Sequence, residues 1–223
     1  LQSQYEWAYP DFHGDSEVLL GRLVRGNCLP NPGTMIRKSC LERVGGYDES
    51  FRRAHDYELW SRLAGNAVFK HCGALVCRYR IHPDSLSAHF DRVDSSFEAR
   101  VVKGLLDRCR LQHLFPDIPW GRVPHEEARA IAFWTASLTL LVFGDVSGAV
   151  ECLKRSRESA PSKEVDSLLS LLEDPSGLKD LQSAIRRADL PVPLEKDFDE
   201  SFYLSQYPEV LSAVRSGRIR SGW

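Results

Sequence analysis

The sequence lacks an excess of basic charge, a long hydrophobic run and any paired-cysteine motif. Its formal net charge is −2 at pH 7, whereas a nucleic-acid-binding domain usually presents a strongly basic face. The longest apolar stretch, residues 135–143, is shorter than the roughly 20 residues that a membrane-spanning helix needs. We therefore expect neither a nucleic-acid partner nor a spanning segment in this sequence.

The six cysteines form no C-x-x-C pair. Cys72 and Cys77 lie closest together, and no second pair follows them at a spacing typical of a zinc site. Free thiols in a reducing compartment are the simplest interpretation. The expected location is accordingly the cytoplasm, with peripheral association at the inner membrane face as an addition if the acceptor is a lipid.

Hydrophobic residues make up 43% of the chain and charged residues 27%, which is an ordinary globular composition. Periodicity divides the chain into a mixed region at 1–90, a helical region at 91–190 and a short tail at 191–223. We predict strands at 34–37, 67–70 and 74–79. We predict helices at 17–25, 39–44, 57–64, 93–112, 125–143, 146–158, 163–172 and 177–188.

Asp56 stands where a predicted helix begins, so its carboxylate should face free backbone N–H groups and the positive end of the helix dipole. A plain helix-capping aspartate is one interpretation of this position. Leu59 and Leu63 share the face that buries this helix, and Trp60 is predicted to join the core. Arg62 is expected to pair with Glu58 at i,i+4 spacing on a solvent-facing surface.

Four segments stand in a fixed order: Asn31-Pro32-Gly33-Thr34-Met35-Ile36-Arg37, Val44-Gly45-Gly46-Tyr47-Asp48, His55-Asp56-Tyr57-Glu58-Leu59-Trp60, and Tyr79-Arg80-Ile81-His82. Together, over residues 20–88, they resemble the C-terminal half of family-2 glycosyltransferases. The resemblance implies an α/β fold, a partial GT-A domain of the nucleotide-diphospho-sugar transferase type, followed by an α-helical extension.

The resemblance also implies a reaction. Such enzymes move a sugar from a nucleotide-diphosphate donor to an acceptor hydroxyl, here a saccharide or lipid-linked acceptor, with inversion at the anomeric carbon. Asp56 would be the general base. A divalent cation, Mg²⁺ or Mn²⁺, would stabilise the leaving diphosphate, and His82 would support that diphosphate or bind the metal. A histidine on a surface loop is the alternative for His82.

The resemblance assigns further residues to substrate binding, and these are Asn31, Gly33, Thr34, Asp48, His55 and Arg80. An ordinary turn is an equal alternative for residues 31–34, and anchoring of the loop is an alternative for Asp48. His55 departs from the family pattern, which often has glutamate before the base. A protonated histidine there would weaken the base, whereas a neutral one could hydrogen-bond the acceptor or the carboxylate.

The donor-binding half and its D-x-D metal site are absent from this sequence. Asp197-Phe198-Asp199 matches the D-x-D pattern, but it lies far downstream and is interpreted as a helix-capping pair. We therefore expect an upstream half, and we expect this chain alone to be inactive.

Helices 125–143 and 146–158 resemble one tetratricopeptide-like pair, which is too little for a repeat array. Residues 198–217 resemble a short motif appended to bacterial glycosyltransferases, and we expect that motif to be truncated at Trp223. The helical region and tail suggest a protein partner. They also support an alternative function, a non-catalytic interaction module that carries a remnant transferase segment.

Overall fold

The structure is a computed structural model that describes residues 16–70, 95–174 and 176–177. Eight helices occur within these ranges. They are α1 (Ser16–Leu23), α2 (Lys38–Val44), α3 (His55–Leu63), α4 (Ser96–Arg108), α5 (Leu111–Leu114), α6 (His125–Val142), α7 (Val146–Ser159) and α8 (Lys163–Glu173).

The predicted α/β fold is wrong for the described part of the chain, which contains helices and no strand or sheet. Residues 34–37 and 67–70 are irregular rather than strands. Met35 is 98% exposed and Val68 is 69% exposed, whereas Ile36, Ala67 and Phe69 pack partly against the core, so neither segment is buried throughout as a central strand would be. A lone strand leaves its backbone groups unpaired and is not stable without neighbouring strands. The third predicted strand, 74–79, lies outside the described residues.

The predicted helices that lie within the described ranges are present, with ends that differ by a few residues. The largest difference is at α4, which occupies Ser96–Arg108 where the periodicity predicts 93–112. A separate short helix, Leu111–Leu114, follows after Cys109 adopts an extended conformation. Only Gly177 of the predicted helix 177–188 lies within the described residues.

The hydrophobic core is continuous from α1 to α8. Its largest fully buried side chains include Leu19 and Leu23 of α1, Trp60 of α3 and Leu105 of α4. The core therefore extends across the domain boundary predicted at residue 90, and an ion pair of 2.8 Å also joins Arg53 to Glu98 across it. The division of the chain into domains stays a prediction.

Helices α6 and α7 form an antiparallel pair. Gly144, with φ of 76°, allows the tight turn between them, and Asp145 caps α7 by accepting a hydrogen bond of 2.9 Å from the backbone N–H of Gly148. Farther along, the Ser156 hydroxyl donates to the carbonyl of Ala130 at 2.8 Å. The helix pair suggested by the sequence is thus packed together.

The four described cysteines, Cys28, Cys40, Cys109 and Cys152, are free thiols, as expected. Cys72 and Cys77 lie outside the described ranges. In the part of the chain that the structure describes, no helix has the length and apolar character needed to cross a bilayer.

Candidate functional site

Asp56 lies at the start of α3, one residue inside the helix. Ala54 is the residue that precedes the helix, with φ of 53°, and it contributes no side-chain cap. Asp56 is partly buried, and its Oδ1 accepts a hydrogen bond of 2.7 Å from the backbone N–H of Tyr57. The interpretation of Asp56 as the capping residue itself is therefore wrong, although its carboxylate does bind a backbone N–H group at the helix start.

The second carboxylate oxygen of Asp56 faces a loop from another part of the chain. Oδ2 lies 3.3 Å from the side-chain nitrogen of Asn27. The Asn27 side-chain oxygen in turn accepts a hydrogen bond of 3.2 Å from the backbone N–H of Leu29. Asn27 is thus a site residue that the sequence did not reveal.

Helix α3 is fixed by its buried face. Tyr57, Leu59 and Trp60 have no exposed surface, and the Tyr57 hydroxyl donates to the carbonyl of Leu23 at the end of α1. Complete burial raises the pKa of Tyr57 well above its usual value, so the phenol stays a hydrogen-bond donor. The prediction that Trp60 belongs to the core is confirmed.

Tyr47, which lies between Asn31 and His55 in the sequence, contacts both of them. The Tyr47 ring packs edge-on against the His55 imidazole, with ring centroids 5.6 Å apart and planes inclined at 64°. The Tyr47 hydroxyl donates to the side-chain oxygen of Asn31 at 3.3 Å. The structure therefore brings two of the predicted substrate-binding residues, Asn31 and His55, onto one exposed surface through Tyr47, and His55 precedes Asp56 in the chain.

The loop that carries Tyr47 is tied to α3 by Arg62. Its guanidinium donates to both carboxylate oxygens of Glu58, at 2.7 and 2.6 Å, and to the backbone carbonyls of Val44 and Gly46. The predicted i,i+4 pair is present, but its predicted solvent exposure is wrong because Glu58 is only 6% exposed. Arg62 thereby closes the turn at Gly45 and Gly46, which both have positive φ.

Gly33 and Thr34 belong to a turn that presents Asn31. The backbone N–H of Thr34 donates to the Asn31 carbonyl at 3.3 Å, and its hydroxyl donates to the Pro30 carbonyl. Gly33 has φ of 89°, which suits glycine best. This geometry agrees with the alternative of an ordinary turn, and direct ligand contact by Gly33 or Thr34 stays a prediction.

Asp48 lies apart from the surface that carries Asn31 and His55. It lines a cleft of about 340 Å³ between α3 and α4, and neither His55 nor Asp56 is among the residues that form it. Asp48 Oδ1 accepts a hydrogen bond of 2.9 Å from the backbone N–H of Ser50, and the hydrogen bonds from Ser50 lower the pKa of the Asp48 carboxyl. This agrees with the alternative of loop anchoring, and substrate contact by Asp48 stays a prediction. The charged residues that line this cleft are three bases (Arg100, Lys103, Arg108) and three acids (Asp48, Glu58, Asp107). That balance selects no charged ligand.

Arg80 and His82 lie outside the described residues, as do Asp197 and Asp199. Within the described ranges, no three or more His, Cys, Asp or Glu side chains come together as a potential metal site. Asp56 and Asn27 alone do not fit a Mg²⁺ ion, which takes roughly six oxygen ligands. The divalent cation therefore stays a prediction.

Comparison with known proteins identifies no relative, since no protein-family model, curated protein or solved structure matches the chain. The similarity to family-2 glycosyltransferases thus stays a prediction carried by the motifs in residues 20–88.

Proposed function

We propose that this chain supplies the general base and the acceptor-side surface for inverting transfer of a sugar from a nucleotide-diphosphate donor to a saccharide or lipid-linked hydroxyl. The main support is the Asp56 carboxylate, which is held at both oxygens and follows His55 directly in the chain, where the His55 ring contacts Tyr47 and Tyr47 hydrogen-bonds Asn31. The proposal does not depend on the α/β fold that the structure contradicts, because these contacts involve only helices and loops.

The arrangement suits proton removal from an acceptor hydroxyl. An ionised carboxylate offers roughly four lone-pair positions, and the two hydrogen bonds from Tyr57 and Asn27 occupy only two of them. A further position can accept the acceptor O–H. As the acceptor oxygen bonds to the anomeric carbon, its proton passes to Asp56, and the bond from that carbon to the nucleotide diphosphate breaks.

His55 and Asn31 are placed to orient the acceptor. His55 is exposed and its ring packs against that of Tyr47. Asn31 is also exposed, its side-chain oxygen accepts from Tyr47, and its side-chain N–H groups donate to no residue in the part of the chain that the structure describes. Saccharides carry many hydroxyl groups, which can both donate to and accept from such side chains. We therefore assign the acceptor, and not the nucleotide, to this surface.

The test uses the chain extended upstream to include the donor-binding half that the motifs imply. Nucleotide-diphosphate release is measured across a panel of nucleotide sugars and acceptors. Asp56→Asn keeps the size of the side chain and should reduce acceptor-dependent release about 10²–10⁴-fold, the usual contribution of a general base. Donor binding should survive the substitution.

The matched control is Asp107→Asn, the same substitution at an exposed position on α4, and it should release product at the wild-type rate. Equal release by Asp56→Asn and the wild type would remove Asp56 as the base. A wild-type chain that binds no nucleotide sugar would contradict the proposal as a whole.

A non-catalytic interaction module is the second candidate function, and one observation favours it. Ile131, Leu138 and Val142 of α6 are 45%, 42% and 46% exposed, and their spacing places them along one side of the helix. Such a row of aliphatic side chains is typical of a protein contact. On this interpretation, no donor and acceptor pair in the panel supports turnover.

A further inference from the structure

We infer that Asn27 is a positioning residue that holds the Asp56 carboxylate in one orientation. The inference rests on the proposed role of Asp56 as the base. Asn27 would act through Asp56, because its side-chain nitrogen contacts the carboxylate oxygen.

The hydrogen bonds fix which end of the Asn27 amide faces Asp56. The backbone N–H of Leu29 can only donate, so the Asn27 atom 3.2 Å from it must be the oxygen. The Asn27 –NH₂ group is then left to point at Asp56 Oδ2, 3.3 Å away. Local turn geometry thus determines the orientation of the amide before Asp56 is considered.

The two oxygens of Asp56 are held by different parts of the chain. Oδ1 accepts from the backbone of α3 itself, at 2.7 Å, and Oδ2 accepts from the loop after α1. Turning the carboxylate out of its present plane about the Cβ–Cγ bond would break both hydrogen bonds. Neither bond alone would fix the plane of the carboxylate as firmly.

The loop and the helix are themselves fixed against each other. Cys28, the neighbour of Asn27, is only 6% exposed and anchors the loop in the core. Tyr57, the neighbour of Asp56, is fully buried and donates its hydroxyl hydrogen bond to Leu23 of α1. Each member of the Asn27–Asp56 pair therefore directly precedes a buried residue, so the core holds the backbone on both sides of this hydrogen bond in place.

Loss of the amide donor should lower turnover without weakening acceptor binding. A base that is misplaced by about 1 Å can lose on the order of 10²-fold in rate, whereas ground-state contacts of the acceptor are made by other residues. We expect Asn27→Asp to reduce kcat about 10- to 100-fold with little change in the KM for the acceptor. Asn27→Asp keeps the oxygen that accepts from Leu29, but it turns a second carboxylate oxygen toward Asp56.

Asn66→Asp is the matched control. Asn66 is exposed, and its side-chain nitrogen donates to the Arg62 carbonyl at 2.9 Å, so the same donor is lost outside the site. Its kcat should equal that of the wild type. A thermal unfolding midpoint for Asn27→Asp close to that of Asn66→Asp would show that the loss of rate is not a loss of fold.

A spectroscopic measurement on this chain separates the contact from the activity. The side-chain ¹H–¹⁵N signals of Asn27 should move when Asp56 is changed to Asn, while those of Asn66 should not. Unmoved Asn27 signals would overturn the inference whatever the activity. Moved signals together with unchanged kcat in Asn27→Asp would also overturn it, whereas a wild type without turnover would overturn the proposed function and leave the contact standing.

Discussion

Among single residues, two ion pairs of the same spacing differ sharply in burial. Glu58 and Arg62 of α3 have side chains that are 9% and 20% exposed and lie 2.6 Å apart. Lys38 and Glu42 of α2 have side chains that are 88% and 64% exposed and lie 3.6 Å apart. Water screens the second pair, whereas the first also satisfies two backbone carbonyls.

We expect Arg62→Met to lower the free energy of unfolding by about 2–4 kcal/mol, because it leaves the Glu58 carboxylate buried without its partner. Lys38→Met, the matched control, should change it by no more than about 0.5 kcal/mol. Urea denaturation measures both. Changes of similar size in the free energy of unfolding of the two variants would show that the burial of Glu58 does not strengthen its ion pair with Arg62.

The sequence could nominate Asp56 and His55 for the site but not Asn27. Asp56 belongs to a helix start and to an ordered set of motifs, whereas Asn27 is one polar residue in a loop, where asparagine is common for local reasons. Its contact with Asp56 joins positions far apart in the chain. The sequence also could not predict the burial of the Glu58–Arg62 pair, because that burial depends on the loop at Val44 and Gly46 lying over α3.

At the scale of elements, helices were predictable and strands were not. A helix satisfies its own backbone groups within one segment, so the apolar periodicity of α6 or α7 is sufficient evidence for it. A strand needs hydrogen-bonding partners from elsewhere. Residues 34–37 have the composition of a short strand, but the described chain offers no strand to pair with them.

Two helical glycines should respond in opposite directions to alanine. A Cβ on Gly21 of α1 would lie 2.8 Å from the ring of Pro116, which cannot move aside easily. We expect Gly21→Ala to destabilise the protein by about 1–3 kcal/mol through overpacking.

Gly104 of α4 is the matched control. Its added Cβ would approach only the end of the flexible Arg108 side chain, at 2.6 Å, and alanine is the better helix former. Gly104→Ala should therefore stabilise the protein by about 0.5–1 kcal/mol. Thermal unfolding midpoints measure both changes, and a stabilised Gly21→Ala would show that α1 does not pack closely on Pro116.

For the whole molecule, the core keeps several ionisable groups neutral. Burial raises the pKa of Cys28 from 9.0 to about 12 and that of Cys152 to about 11. Burial also raises the pKa of Tyr57 well above its usual value. In the unfolded chain these groups would lose protons at lower pH than in the native protein.

Stability should therefore fall in alkali. The folded pKa of Cys28 lies above the unfolded value, so its contribution is complete below pH 9.0 and is lost as the pH rises toward about 12. Within that window each such group lowers the free energy of unfolding by at most about 1.4 kcal/mol per pH unit.

Urea denaturation between pH 7.5 and roughly 10.5 tests this, over a range chosen to span the reference thiol pKa. Cys28→Ala should make the free energy of unfolding fall less steeply with pH, and adding Cys152→Ala should reduce that slope further. A wild-type stability that stays level across this range would contradict neutral burial of these groups.

The hydrogen bonds from Arg62 to the carbonyls of Val44 and Gly46 have a consequence for ligand binding. Gly45 and Gly46 are the most freely rotating residues of their loop, but Arg62 holds the Gly46 carbonyl at 2.6 Å, so that freedom is already lost on folding. A molecule that binds against Tyr47 and His55 would meet a loop whose backbone torsions are already fixed. Binding there would therefore cost little conformational entropy of the loop. Its rate would be governed by diffusion and desolvation rather than by closure of the loop.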